Sequence, residues 1–393
     1  MEAYAGEWLQ LLIRWVHVIT GIAWIGASFY FIWLDNHLRP PPDARDAPDA
    51  VGGELWAIHG GGFYQVQKFR VAPPALPETL HWFKWEAYWT WLSGFALLGV
   101  LYWWNAATYM IAPGAPVTPL GAVAVSAALL AIGWVFYDQL CKRLGFAHER
   151  VLGVLLVAFL ALCAWAVSHV FTGRATFLQI GAMLGTLMAA NVLYVIIPGQ
   201  RRMVAAKREG RAPDAVHGLR GKQRSVHNNY FTLPVLLAMI SNHYPMTYSA
   251  PHAWLVLAAL MLLAAYVRHF FNLRHRGRTV WSIPVTAAAG VLVLAAAIAP
   301  SRTTPAGRVA FADVERIVHM RCAPCHATTP TQPGITTAPK GVLLDTPAQI
   351  VANAAGIRAQ AVDTHAMPLG NLTAMTDDER SKLRAWLLAD TAR

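Results

Sequence analysis

Residues Trp8 to Leu34 read WLQLLIRWVHVITGIAWIGASFYFIWL, an apolar run long enough to span a bilayer, which takes roughly 20 helical residues. Arg14 and His17 interrupt it three positions apart, on one helix face. No basic residue precedes Arg14 and the run exceeds a signal-peptide core, so the stretch reads as a retained helix and not a cleaved leader. Gly21 and Gly26 permit close packing against a second helix.

Working outward, similar apolar stretches follow at about 81–103, 117–138, 151–171, 175–197, 226–244, 252–272 and 280–299, which predicts eight membrane helices. Composition agrees: 56% of residues are hydrophobic, 16 are tryptophan and only 13% are charged, against roughly 25% in soluble proteins. The formal charge of +11 is unevenly spread. Residues 309–393 are balanced, with eight Lys/Arg and eight Asp/Glu, so the excess lies upstream.

Loop charge gives the expected direction of the helices, because short cytoplasmic loops retain Lys and Arg. The first loop has Arg39, Arg45, Lys68 and Arg70; the third has Lys142, Arg143 and Arg150; the fifth has eight from Arg201 to Arg224; the seventh has Arg274, Arg276 and Arg278. The even loops have only Arg174. Odd loops are therefore expected in the cytoplasm and both termini outside. Topology accounts for the basic fifth loop without a nucleic-acid partner.

Pro300 to Arg308 reads as a linker between a membrane domain (1–299) and a compact C-terminal domain (309–393). That domain carries Cys322-Ala-Pro-Cys325-His326, the spacing for covalent attachment of haem c: the thiols add to vinyl groups and the imidazole ligates iron. A zinc site would need further Cys or His ligands, and a redox dithiol has no use for the histidine. Val314, Ile317 and Val318 share a helix face before the motif; Thr346-Pro347 opens another helix; Thr376-Asp-Asp-Glu379 is a capping box for a last helix burying Leu383, Trp386 and Leu387. This is the pattern of a small class I cytochrome c, and the fold class expected for the chain is all-α. Met367, in the loop between the later helices, is the expected sixth iron ligand opposite His326. Met320 lies too close to the attachment site and Met375 abuts the last cap. Cys141 and Cys163 sit in apolar surroundings and suggest no disulfide framework.

Ionisable groups within spans are costly, so each is a functional candidate. Arg14 and His17 lie in the first span; Glu86, with His81 and Lys84, opens the second; His59-Gly-Gly-Gly62 in the first loop could bring backbone amides close to a ligand. The sixth span begins His227-Asn228-Asn229 and ends Asn242-His243, more hydrogen-bonding capacity than anchoring needs and suited to the amide edges of a planar heterocycle. Arg268 and His269 read as snorkelling at the cytoplasmic end of the seventh span. A b-type haem between two membrane histidines is compatible with the sequence, which does not select the pair.

Arg14 to Tyr30, the His59-Gly-Gly-Gly-Phe-Tyr64 loop, His227-Asn-Asn-Tyr-Phe-Thr-Leu-Pro234 through Pro245, and the fused Cys-x-x-Cys-His motif together resemble the membrane-bound, cytochrome-c-linked urate oxidase (urate hydroxylase) family. The resemblance implies oxidation of urate to 5-hydroxyisourate in the helical domain of a bacterial inner-membrane protein with a periplasmic cytochrome. Electrons would pass to haem c and on to a soluble cytochrome or terminal oxidase, without hydrogen peroxide. It also implies that urate binds near Arg14, His17 and the sixth-span cluster, a histidine or Glu86 taking protons. A quinol-oxidising respiratory module, or a transporter or redox sensor with a cytochrome appendage, would share the general layout.

Overall fold

The computed structural model describes residues 2–42, 46–299 and 309–390; the expected linker at 300–308 lies outside them. The described chain is mostly helical. Its first part contains α1 (Glu2–His37), a hairpin of β1 (Val51–His59) and β2 (Gly62–Phe69), then α2 (Trp85–Leu98), α3 (Pro119–Leu144), α4 (Glu149–Val167), α5 (Gly173–Ala190), α6 (Ile197–Arg208), α7 (Ala215–Ile240), α8 (Ala253–His275) and α9 (Ser282–Ala297). Helix occurs across each of the eight expected stretches. By length and composition, five helical segments suffice to cross a membrane: Tyr4–His37, Pro119–Leu144, Glu149–Val167, Gly173–Arg208 and Ala253–His275. The last apolar helix, Ser282–Ala297, is shorter, and α7 is diluted by its buried polar residues.

Local chemistry explains where these helices begin. Thr118 caps α3 by accepting from Gly121 N at 3.1 Å, with Pro119 in the first turn, and Asp214 caps α7 by accepting from Val216 N at 2.9 Å. Two departures from expectation stand out in the basic loops. The His59-Gly-Gly-Gly62 run is the turn of an antiparallel hairpin in which His59 pairs with Gly62 and Gly60 and Gly61 adopt positive φ, as a two-residue turn requires. The fifth loop is also largely ordered, since α6 runs to Arg208 and α7 starts at Ala215.

α5 is the central helix, buried along most of its length. Small residues let its neighbours approach: a Cβ on Gly181 would meet that of Ala238 on α7 at 2.7 Å, and one on Gly133 of α3 would meet Met183 Cγ at 2.6 Å. Tyr137, Phe177, Met183, Leu187 and Leu257 fill the resulting core without solvent exposure.

The C-terminal part has its own core, with α10 (Phe311–Arg321), α11 (Pro347–Ala352) and α12 (Asp377–Asp390) packing through Val314, Ile317, Val318, Ile350, Leu383, Trp386 and Leu387. The expected capping box at Thr376 forms, and the expected cap at Thr346 proves to be a capping box as well. Thr346 pairs reciprocally with Gln349, while Glu379 N donates to Thr376 Oγ1 at 3.2 Å and Glu379 Oε2 accepts from Thr376 N at 2.7 Å. This part rests on the helix ends opposite the basic loops: Thr108 Oγ1 donates to the Pro333 carbonyl at 2.7 Å and Ser249 Oγ to the His365 carbonyl at 3.2 Å. Gly370 has no room for a side chain there, because a Cβ would lie 2.7 Å from Thr172.

Candidate functional site

Fourteen residues separate Asn228 from Asn242, about 21 Å along the axis, so the sixth-span cluster is two sites and not one. At the end facing the C-terminal part, Asn242 Oδ1 accepts from Arg174 Nε at 3.1 Å and from Tyr102 Oη at 3.4 Å, with Arg14 within electrostatic reach of Tyr102. Arg14 itself is exposed, as is His243 in the turn beyond α7. His17 lies between α1 and α2, its Nδ1 3.0 Å from the Thr90 carbonyl and 3.2 Å from Ser93 Oγ. A carbonyl only accepts, so Nδ1 carries the proton. A Cβ on Gly94 would come within 2.8 Å of the ring, which makes that glycine the seat for His17. His59 is exposed at the hairpin turn.

The basic-loop end holds the other candidates. A cavity of about 480 Å³ opens between α1, the start of α2, α6 and α7, a size suited to a small ligand. Trp24, Phe31, Trp82 and Phe83 give it aromatic walls; Glu86 and Asn228 line it, as do His81 and Lys222. Lys68 forms a 2.6 Å ion pair with Asp35 at the same cavity. Asn228 is held from behind: its Oδ1 accepts from Asn191 Nδ2 at 2.8 Å, and its Nδ2 donates to the Met188 carbonyl at 3.0 Å. Lys222 also lies 4.0 Å from Asp35, so the charges of the lining are balanced, and its aromatic faces and fixed amide suit a planar heterocycle.

His227 belongs to a buried network beside this cavity. Its Nδ1 is 2.8 Å from Tyr137 Oη and its Nε2 3.3 Å from Glu149 Oε2. Asn191 Nδ2 also donates to Tyr137 Oη at 3.1 Å; Asn191 Oδ1 accepts from Arg224 Nη1 at 3.1 Å, and Arg224 Nη2 donates to Asp138 at 2.8 Å. Asn229 points elsewhere, to Arg268 and Asn272 on α8, with Arg268 Nε donating to Asn229 Oδ1 at 3.0 Å. The snorkelling expected of Arg268 does not occur: the residue is 4% exposed, and its guanidinium lies over the Phe29 ring at 4.0 Å from the centroid. Sequence reasoning missed Arg268 and Asn272, although their i, i+4 spacing places them on one face of α8.

In the C-terminal part, Cys322, Cys325 and His326 share one helical turn, with Cys325 N and His326 N donating to the Cys322 carbonyl at 3.1 and 2.9 Å. Both thiols are free. Burial pushes the Cys322 thiol up to about 12 and raises Cys325 as well, opposite to the low value of a reactive redox dithiol. His326 Nδ1 donates to the Val342 carbonyl at 3.0 Å, which fixes the tautomer and leaves Nε2 as the ligating atom. Met367 packs on the same core with its backbone pinned at both ends, N to the Gln360 carbonyl at 2.9 Å and O to Arg380 Nη1 at 2.9 Å. These residues fit a covalently attached haem: two thiols on one turn, an oriented imidazole and a methionine from a tethered loop. Among the described residues no group of three or more His, Cys, Asp or Glu is placed to hold a metal ion.

Among known proteins, the family model described as urate oxidase N-terminal matches residues 3–299, the whole helical part including the cavity and the Arg268 cluster. No curated protein and no solved structure gives a significant match. With about three quarters of its length matched, the chain belongs to the urate oxidase N-terminal family.

Proposed function

We propose that the helical part oxidises urate to 5-hydroxyisourate and that the C-terminal part, carrying one covalent haem c, takes up the electrons. The observation that supports this most is the cavity bounded by Trp24, Trp82, Asn228 and Glu86 inside the family-matched region. Urate near neutral pH is a planar monoanion with alternating carbonyl and N–H groups. Aromatic walls stack its faces and the Asn228 amide meets its edge.

The reaction balances with water as the oxygen source: urate monoanion and water give 5-hydroxyisourate, one proton and two electrons. Glu86, at the first turn of α2 and on the cavity wall, is the residue assigned to accept the proton. Arg14, His17, Asn242 and His243, toward the opposite end, and His59 in the hairpin are assigned no contact with urate. The His227 network orients Asn228 through Asn191. Cys322, Cys325, His326 and Met367 would hold a covalent haem, which would supply one-electron acceptance at a raised potential. No peroxide need form, because oxygen is not the electron acceptor.

The C-terminal part rests on the helix ends opposite the basic loops, which supports a periplasmic cytochrome on an inner-membrane protein with cytoplasmic basic loops. A soluble cytochrome or terminal oxidase would then collect the electrons. Turnover in H₂¹⁸O tests the chemistry. The expected product carries one ¹⁸O per molecule with no peroxide released; ¹⁸O arriving from labelled dioxygen, with stoichiometric peroxide, overturns the proposal.

A further inference from the structure

Five buried side-chain polar atoms among the described residues lack a hydrogen-bond partner, and four of them belong to Asn229, Arg268, Asn272 and His275. That concentration marks one place, where α7 and α8 meet α1. Arg268 is 4% exposed, Asn229 0% and Asn272 7%. Asn229 Oδ1 accepts both from Arg268 Nε at 3.0 Å and from Asn272 Nδ2 at 2.9 Å. With two N–H groups converging on that oxygen, neither amide can be turned over without setting like against like.

The arrangement leaves Arg268 Nη2 and Asn229 Nδ2 as free donors and Asn272 Oδ1 as a free acceptor. Arg268 also forms no ion pair among the described residues. Its electrostatic compensation is the Phe29 ring. A buried guanidinium without a counter-charge is strongly disfavoured. Water could satisfy the two amides but brings no charge. An anion that also presents an N–H satisfies these three groups at once.

We propose that Arg268, Asn229 and Asn272 hold the anionic edge of the substrate: a planar monoanion presenting two acceptors and one N–H, the class to which urate belongs. The proposal rests on the helical part acting on urate, and adds where specificity for the anion resides. Its relation to the cavity follows from chain register. Ser28 and Asn228 line the cavity, and their successors Phe29 and Asn229 face the arginine. The site therefore lies beside the cavity, across the contact between α1 and α7, and Arg268, Asn229 and Asn272 do not themselves line the cavity. Arg268 and Asn272 are positioned by α8 alone, one turn apart, so their spacing is set by the helix.

The test is equilibrium dialysis of radiolabelled urate against the full-length holoprotein in detergent, anaerobically and with the haem held reduced by ascorbate so that no turnover occurs. Wild type is expected to bind one urate per chain. Arg268→Gln should weaken binding at least tenfold, and Arg268→Lys should recover part of it. Asn272→Asp supplies the missing carboxylate from within; it should raise the unfolding midpoint and abolish binding, and it keeps the test decisive should Arg268→Gln fold poorly. Wild-type affinity in both Arg268→Gln and Asn272→Asp, no binding by wild type, or equal displacement of urate by inorganic phosphate would each overturn the assignment. The reaction is judged separately: if urate binds through Arg268 yet never reduces the haem, the reaction fails and the site stands. If urate reduces the haem normally in Arg268→Gln at subsaturating concentration, the site fails and the reaction stands.

Discussion

Arg224 and Arg268 are almost equally buried, 3% and 4% exposed, on neighbouring helices near the same end of the molecule. Arg224 is fully engaged: Asp138 at 2.8 Å, Asn191 at 3.1 Å, and the Tyr137 and Trp134 rings at 4.8 and 5.9 Å from its guanidinium carbon. Arg268 has one amide oxygen and one ring. Burial alone therefore does not mark a functional charge; the missing counter-charge does. Arg224 holds α3 and α7 together, whereas Arg268 keeps bonding capacity in reserve.

The largest effect should come from breaking the satisfied site. Asp138→Asn strands a buried guanidinium and should cost roughly 3–5 kcal/mol, measurable as a large fall in the thermal midpoint. A neutral result would mean that the two arginines do not differ as described. Asn191→Leu leaves Tyr137, Asn228 and Arg224 each short of a partner and should cost about 1–3 kcal/mol by denaturant titration. It should also weaken urate binding by loosening Asn228. Phe29→Leu removes the ring over Arg268 and should cost about 0.5–2 kcal/mol in the ligand-free protein. Added urate should offset that loss, because the anion takes over the compensation; an equal loss with and without urate would contradict it.

The smallest effect serves as a control outside the helical part. Burial raises the Glu379 carboxyl, but hydrogen bonds from Thr376 and Arg321 outweigh it and hold the group below its usual range. A depressed carboxylate contributes stability that is present above the unfolded value and is lost as pH falls through the folded one. Glu379→Gln should thus lower the midpoint of the C-terminal part near neutral pH and converge with wild type in acid. A difference that grows on acidification would have the wrong sign.

Elements set by local spacing were legible in the sequence. The Cys322-x-x-Cys325-His326 turn, the Thr346 cap, the Thr376–Glu379 capping box and the Val314, Ile317, Leu383 and Trp386 core depend on residues a few positions apart. The hairpin was not legible because its two strands are largely exposed and leave no alternating apolar pattern on either side of the glycine turn. The site was harder. Asn228 and Asn229 look equivalent in sequence, yet one helix step of about 100° sends the first to the cavity and the second to Arg268. The partner of Arg268 lies 39 residues away on another helix, a relation no local pattern encodes. Arg14 likewise lies toward Asn242 and not Asn228, because shared residue chemistry does not override the rise of a helix.

In the proposed reaction, electrons pass from urate in the helical part to a haem held by Cys322, Cys325 and His326. The most direct measurement is anaerobic stopped-flow mixing of urate with the oxidised holoprotein, following the haem absorbance. Urate should reduce the haem, two haems for each urate consumed, and reduction should be lost in Arg268→Gln at low urate while ascorbate still reduces that variant. A haem that stays oxidised with excess urate, in protein whose haem ascorbate readily reduces, would contradict the account.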